Sequence, residues 1–143
     1  MNKFLYYLLN YTWGIVATII GYIVFIFLFL CGSIYTVDWK YNGKRFWIFN
    51  RNRDYSFSIG TFVVLGEMDE SSLQHEIGHS MQNAMFGPFA IILVYIPSCV
   101  RFWFRRFVSD ILHKKLKKGY YDIWFESQAN TLGKKWFFHT KGK

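Results

Sequence analysis

Residues 4–37 carry no charged side chain, and residues 13–30 are almost continuously apolar. About 20 apolar residues span the hydrocarbon core of a bilayer, so the pattern predicts one transmembrane helix. Tyr6, Tyr7, Tyr11 and Trp13 flank one end and Tyr35, Trp39 and Tyr41 the other, as interfacial aromatics do. The run exceeds the roughly 7–15 apolar residues of a secretory signal, and bulky Leu30 precedes Cys31 where a lipoprotein cleavage site needs a small residue, so the segment is expected to stay as an anchor. Residues 45–50 and 56–65 are aromatic and β-branched and flank a polar turn, a pattern that predicts a hairpin. Its edge either pairs with an extended peptide or simply covers the core. Glu67, Asp69 and Glu70 lead into a helix that a Ser71/Gln74 capping box starts and Gly87-Pro88 stops.

Residues 86–100 are again uncharged, but the run is too short to span and contains Pro97; it is expected to be a re-entrant, interfacial or buried helical piece broken there. In residues 101–118, Phe104, Phe107, Val108, Ile111, Leu112 and Leu116 recur at helical spacing opposite Arg105, Arg106 and four lysines. Such a basic amphipathic helix lies on an anionic membrane or presents a solvated face. A last helical pattern follows Gly119, with Asp122 as candidate N-cap and Gly133 as candidate terminus. The fold class is therefore α+β: an anchor over residues 1–38, then one small domain over 39–143 with a membrane-associated insertion at about 86–118.

Composition sharpens this picture. Of 143 residues, 52% are hydrophobic and 22% aromatic against 18% charged, which is apolar for a water-soluble domain. The net charge of +8 comes from basic residues interleaved with Phe, Trp and Tyr, which fits anionic lipid headgroups and not nucleic acid. Lys40, Lys44, Arg45, Arg51 and Arg53 outnumber Lys3, which places the domain on the cytoplasmic side of a single-pass anchor. Cys31 and Cys99 lie in apolar stretches without paired spacing and read as buried free thiols.

The chemistry is concentrated in His75-Glu76-Ile77-Gly78-His79. Residues i and i+4 share a helix face, so His75 and His79 can turn a ring nitrogen toward one metal ion with Glu76 beside them as a proton acceptor. The plainer alternative is two partly buried histidines. If the site uses two His and a Glu, Glu126 must supply the carboxylate, because it is the only glutamate after Glu76. Ala129 is small enough to let two helices approach, and Asn130, one turn past Glu126, can accept the free N–H of a ligating His. Glu126 facing solvent on an amphipathic helix is the alternative.

His75-Glu76-x-x-His79 with Glu126-x-x-Ala129-Asn130 resembles the gluzincin pattern, and is similar in particular to the membrane-bound CAAX-prenyl-endopeptidase-like and heat-shock metallopeptidase family. The likeness covers residues 71–84 and 122–133. It implies a zincin-like fold, one Zn²⁺ per chain, His75, His79 and Glu126 as ligands and Glu76 as general base. Asn130 stands where the family has Asp, and the chain is much shorter than those enzymes. The resulting expectation is a membrane-anchored zinc metallopeptidase acting on a peptide or protein, with Tyr120, Tyr121, His113 and His139 as candidate oxyanion stabilisers. The rival is a non-catalytic zincin-like scaffold that binds lipid or a partner. An intramembrane protease is disfavoured, since residues 73–85 carry Gln, His, Glu, Ser and Asn that are costly in lipid.

Overall fold

A computed structural model describes residues 1, 3–38, 45–49, 55–67, 69–113, 119 and 122–141. The elements run α1 (Lys3–Tyr11), α2 (Ile15–Leu30), β1 (Ile34–Asp38), β2 (Arg45–Phe49), β3 (Phe57–Ile59), β4 (Phe62–Leu65), α3 (Glu70–Phe86), α4 (Ile96–Asp110) and α5 (Trp124–Lys141). A four-stranded sheet in the order β1-β2-β4-β3 accompanies the helices, so the chain mixes helix and sheet with helix predominant.

β4 is apolar at every position because both its faces are covered. Val63 and Leu65 join Tyr6, Leu73, Ile77, Met81 and Ala84 in one cluster, which fixes α3 on that face. Val64 joins Ile34, Phe25 and Leu28 on the other face, where Phe62 also stacks on Phe25 and meets Tyr22 edge-on. Alternation along the strand thus sends successive side chains to α3 and α2.

The hairpin expected between residues 45–50 and 56–65 is corrected. The second stretch is itself a hairpin, turning at Gly60 with φ +60°, and β3 pairs antiparallel with β4 from Phe57↔Val64 to Ile59↔Phe62. Glycine adopts that backbone without the steric cost of a Cβ. β2 lies parallel to β4, with Trp47 opposite Val64, and pairs antiparallel with β1, Ile34 opposite Phe49. β1 therefore ends where the expected anchor ends, yet belongs to the sheet.

No single helix among the described residues is long and apolar enough to cross a membrane. Instead of one straight helix over residues 13–30, α1 and α2 meet at 84°. Tertiary hydrogen bonds hold this bend: Asn83 Nδ2 on α3 donates to Asn10 Oδ1 at 2.6 Å and to the Gly14 carbonyl at 3.2 Å, while Thr18 Oγ1 donates to the Asn10 carbonyl at 2.9 Å. Tyr6 is hydrogen-bonded to Ser80, which itself donates to the Gly60 carbonyl at 2.5 Å. The N-terminal segment is thereby part of the core around α3. The outward face of α2, including Ile19, Ile23, Phe27 and Leu30, is exposed.

Between α3 and α4 the chain forms a 3-10 turn (Gly87–Phe89) and a π-helical turn (Ile91–Tyr95). Pro97 sits in the first turn of α4, where its missing N–H costs little, and the helix continues to Asp110 instead of beginning near residue 101. One side of this stretch is buried, through Ala90 and Val94, while Ile92, Leu93, Ile96 and Val100 on the other are exposed. Phe104, Phe107, Ile111 and Leu112 are also exposed, whereas Val108 is buried. Residues 114–118 lie outside the described residues. Both cysteines are free, but exposed, because their apolar surroundings in sequence are themselves outward-facing helix surface.

Candidate metal centre

α3 is rich in polar residues and nevertheless buried from His75 to Ala84. Its N-cap is Asp69, which accepts from the Ser72 amide at 3.0 Å and from Ser71 Oγ at 2.5 Å, so Ser71 and Gln74 lie inside the helix and do not form the expected capping box. Gly87 closes the helix as the sequence implies. Burial of so polar a helix requires a partner for each side chain. Glu76, Ser80 and Asn83, spaced one turn apart, turn toward β3 and the N-terminal helices. His75, His79 and Gln82 turn toward α5.

α5 comes close enough to complete the site because the interface is built from small residues. A Cβ on Gly78 would lie 1.9 Å from the Ala129 carbonyl oxygen, and one on Gly133 would lie 1.7 Å from that of Gln74. Gly133 is therefore a contact inside α5 and not its terminus. Asp122 is not the N-cap either: its side chain accepts from the Gly119 amide at 2.6 Å, and the carbonyl entering the helix is that of Ile123.

His75, His79 and Glu126 converge in a buried group that could hold a metal ion. Nε2 of His75 and of His79 are 3.1 Å apart, and Glu126 Oε2 is 3.1 Å from the first and 3.3 Å from the second. The opposite ring nitrogens are both committed. His75 Nδ1 donates to Asn130 Oδ1 at 3.0 Å and His79 Nδ1 to Gln82 Oε1 at 2.8 Å. With both Nδ1 atoms protonated, two Nε2 lone pairs face one carboxylate oxygen, and only a proton or a metal cation between them relieves the repulsion. Gln82 is held in turn by donating to the Phe125 carbonyl at 2.7 Å and to Gln128 Oε1 at 2.9 Å.

The electrostatics follow from burial and pairing. Burial alone would raise the Glu126 pKa, but hydrogen bonds from His75, His79 and Ser98 outweigh it and hold the carboxyl well below the carboxylate range. Burial alone would lower His79, and Glu126 with Glu76 raises it above the ordinary value. Glu76 is raised, chiefly by burial, with His79, His75 and Ser58 opposing. The buried Ser58 hydroxyl beside it makes no hydrogen bond of ordinary geometry.

A cavity of about 780 Å³ opens on this group. His75, Glu76 and His79 form its floor, β3 with Phe57 and Ser58 one wall, and Tyr95, Ser98 and Phe102 the other. Tyr95 accepts the Gly60 N–H at its hydroxyl, 3.2 Å away, and keeps its own proton to donate. Of the proposed oxyanion stabilisers, His113 is exposed after α4 and does not line the cavity. Tyr120 and Tyr121 lie outside the described residues, as does the His139 side chain. Gln82 was reachable from sequence as a polar residue three positions past His79. Ser58, Tyr95 and Ser98 carry no such signal.

Comparison of the chain with protein-family models, curated proteins and solved structures finds no match.

Proposed function

We propose that the chain is a membrane-associated zinc metallopeptidase of the gluzincin type with a zincin-like domain, holding one Zn²⁺ between His75, His79 and Glu126. The spacing of the three ligand atoms, 3.1, 3.1 and 3.3 Å, carries the reading. Ligands about 2.0–2.1 Å from a tetrahedral ion are separated by roughly 3.3–3.4 Å, so the donor set fits zinc with little rearrangement. A bound zinc ion supplies a Lewis acid that makes water acidic near neutral pH and polarises a peptide carbonyl.

The chain's own residues account for the other steps. Glu76, on the cavity floor, accepts the proton of the attacking water and delivers it to the departing amine. Tyr95 donates its hydroxyl proton to the oxygen on which charge develops. β3 is the edge strand along the cavity wall, and its open side holds an extended substrate backbone by strand addition. Membrane contact is assigned to the outward faces of α2 and α4, whose apolar residues are exposed, with the arginines of α4 beside its own apolar positions. Because α1 before α2 and β1 after it pack on one domain, α2 is assigned to a membrane-facing surface and not to a single crossing, and the basic excess after it favours the cytoplasmic side.

The test is zinc content and peptide hydrolysis of the full chain in detergent. Wild type is expected to hold one zinc, Glu126→Gln to lose it, and Glu76→Gln to keep zinc while losing hydrolysis. Wild type purified from metal-replete medium without stoichiometric zinc sinks the reading. Metal without Glu76-dependent hydrolysis favours a non-catalytic scaffold.

A further inference from the structure

The two oxygens of Glu126 have different surroundings. Oε2 faces both histidine Nε2 atoms, whereas Oε1 accepts a hydrogen bond from Ser98 Oγ at 2.6 Å. The residue is completely buried, so solvent does not satisfy either oxygen. A carboxylate with no other partner can offer both oxygens to a metal ion. One held by a hydroxyl offers a single oxygen, and the position it gives up stays open for water and substrate.

Ser98 comes from neither ligand-bearing helix. It lies in the first turn of α4, directly after Pro97 and the π-helical turn. The π-helical turn Ile91–Tyr95 adds a residue to the helical turn and so changes which side chains of α4 point inward. Ser98 and Phe102 then line the cavity, while Val100, 62% exposed, points away from it. Pro97 cannot donate a backbone hydrogen bond, which makes the first turn the position where it interrupts nothing. The irregular stretch between the two halves of the motif thereby delivers one hydroxyl to the third ligand.

We propose that Ser98 is a positioning residue that holds Glu126 to one-oxygen ligation of the metal ion, and so makes α4 part of the metal site. The assignment rests on the metal-binding reading above and goes beyond it. Losing the Ser98 hydroxyl frees Oε1, which then swings toward the metal position and closes the open coordination place.

Cobalt(II) loaded into the full chain in detergent tests this, with visible absorption as the readout and chelator competition for affinity. Ser98→Ala is expected to show weaker visible absorption, as a fifth donor joins, and an affinity 10- to 100-fold lower. Ser98→Thr keeps a hydroxyl and is expected to return the wild-type spectrum. Wild-type absorption in Ser98→Ala overturns the proposal. So does a Ser98→Thr protein that is folded by circular dichroism but shares the altered spectrum, and this variant decides the matter if Ser98→Ala does not fold. Wild type that binds no cobalt is a different outcome, which removes the underlying metal site as well.

Discussion

Gly78 and Ala129 meet backbone to backbone: a Cβ on Gly78 would stand 1.9 Å from the Ala129 carbonyl oxygen. The obstacle is main chain and cannot rotate away, so Gly78→Ala must push α5 off α3. The expected cost is at or above the ~1–3 kcal/mol of an overpacked core. Since Glu126 and Asn130 ride on α5, metal content should fall with stability. Thermal unfolding and metal analysis of one preparation check this. A variant of wild-type stability and full metal content contradicts it.

Asn130 and Gln82 fix the ring orientations of His75 and His79 by accepting from Nδ1. Replacing either by Ala should lower metal affinity about 10- to 100-fold. Asn130→Asp should act in the opposite direction, because a carboxylate acceptor makes the imidazole a more basic ligand. Chelator competition measures all three, and an Asn130→Asp protein that binds more weakly than wild type refutes this account of Asn130.

Tyr95→Phe separates the hydroxyl's role from the ring's packing. Folding should survive the loss of the Gly60 hydrogen bond, worth about 0.5–1.5 kcal/mol, and metal content should not change. If Tyr95 donates to developing charge, kcat should fall roughly 10²- to 10³-fold with KM little altered. A rise in KM alone assigns Tyr95 to substrate binding instead.

Metal loading should be strongly pH-dependent. In the metal-free chain burial lowers the His79 pKa, and its pairing with Glu126, together with Glu76 and Gln82, raises it further than burial lowers it. A raised folded value means that this pairing stabilises fully below the unfolded value of about 6.5 and is lost as pH rises through the folded one. A metal ion must displace that proton. Calorimetric titration with zinc near pH 7 in buffers of different ionisation enthalpy should therefore register proton release. Identical heats in all buffers contradict it.

Asp69 caps α3, and hydrogen bonds from Ser71 and Ser72 lower its pKa. Its stabilising effect is present above the unfolded value of about 3.9 and is lost as pH falls through the lower folded one. Asp69→Ala should cost about 1 kcal/mol at neutral pH and less at an acid pH where the folded chain's Asp69 is protonated. Denaturant unfolding at both pH values decides whether the gap closes.

The three residues that could hold a metal ion were legible in the chain because helical periodicity is local. Four-residue spacing sets His75 and His79 on one face wherever the helix packs, and the scarcity of glutamate left Glu126 as the downstream partner. Asn130 followed by the same one-turn logic and indeed reaches His75 Nδ1. The strand-forming stretches were legible too, but not their pairing, since period-2 alternation marks a strand and leaves its neighbour and direction open. Only the tertiary structure set β2 parallel to β4, bent the N-terminal apolar run at 84° and packed its residues on α3. The bend depends on Asn10 meeting Asn83 across 73 positions, and the setting of Glu126 Oε1 on Ser98 reaching it across 28. Contacts of that kind arise from packing between elements, which no local pattern of residues encodes.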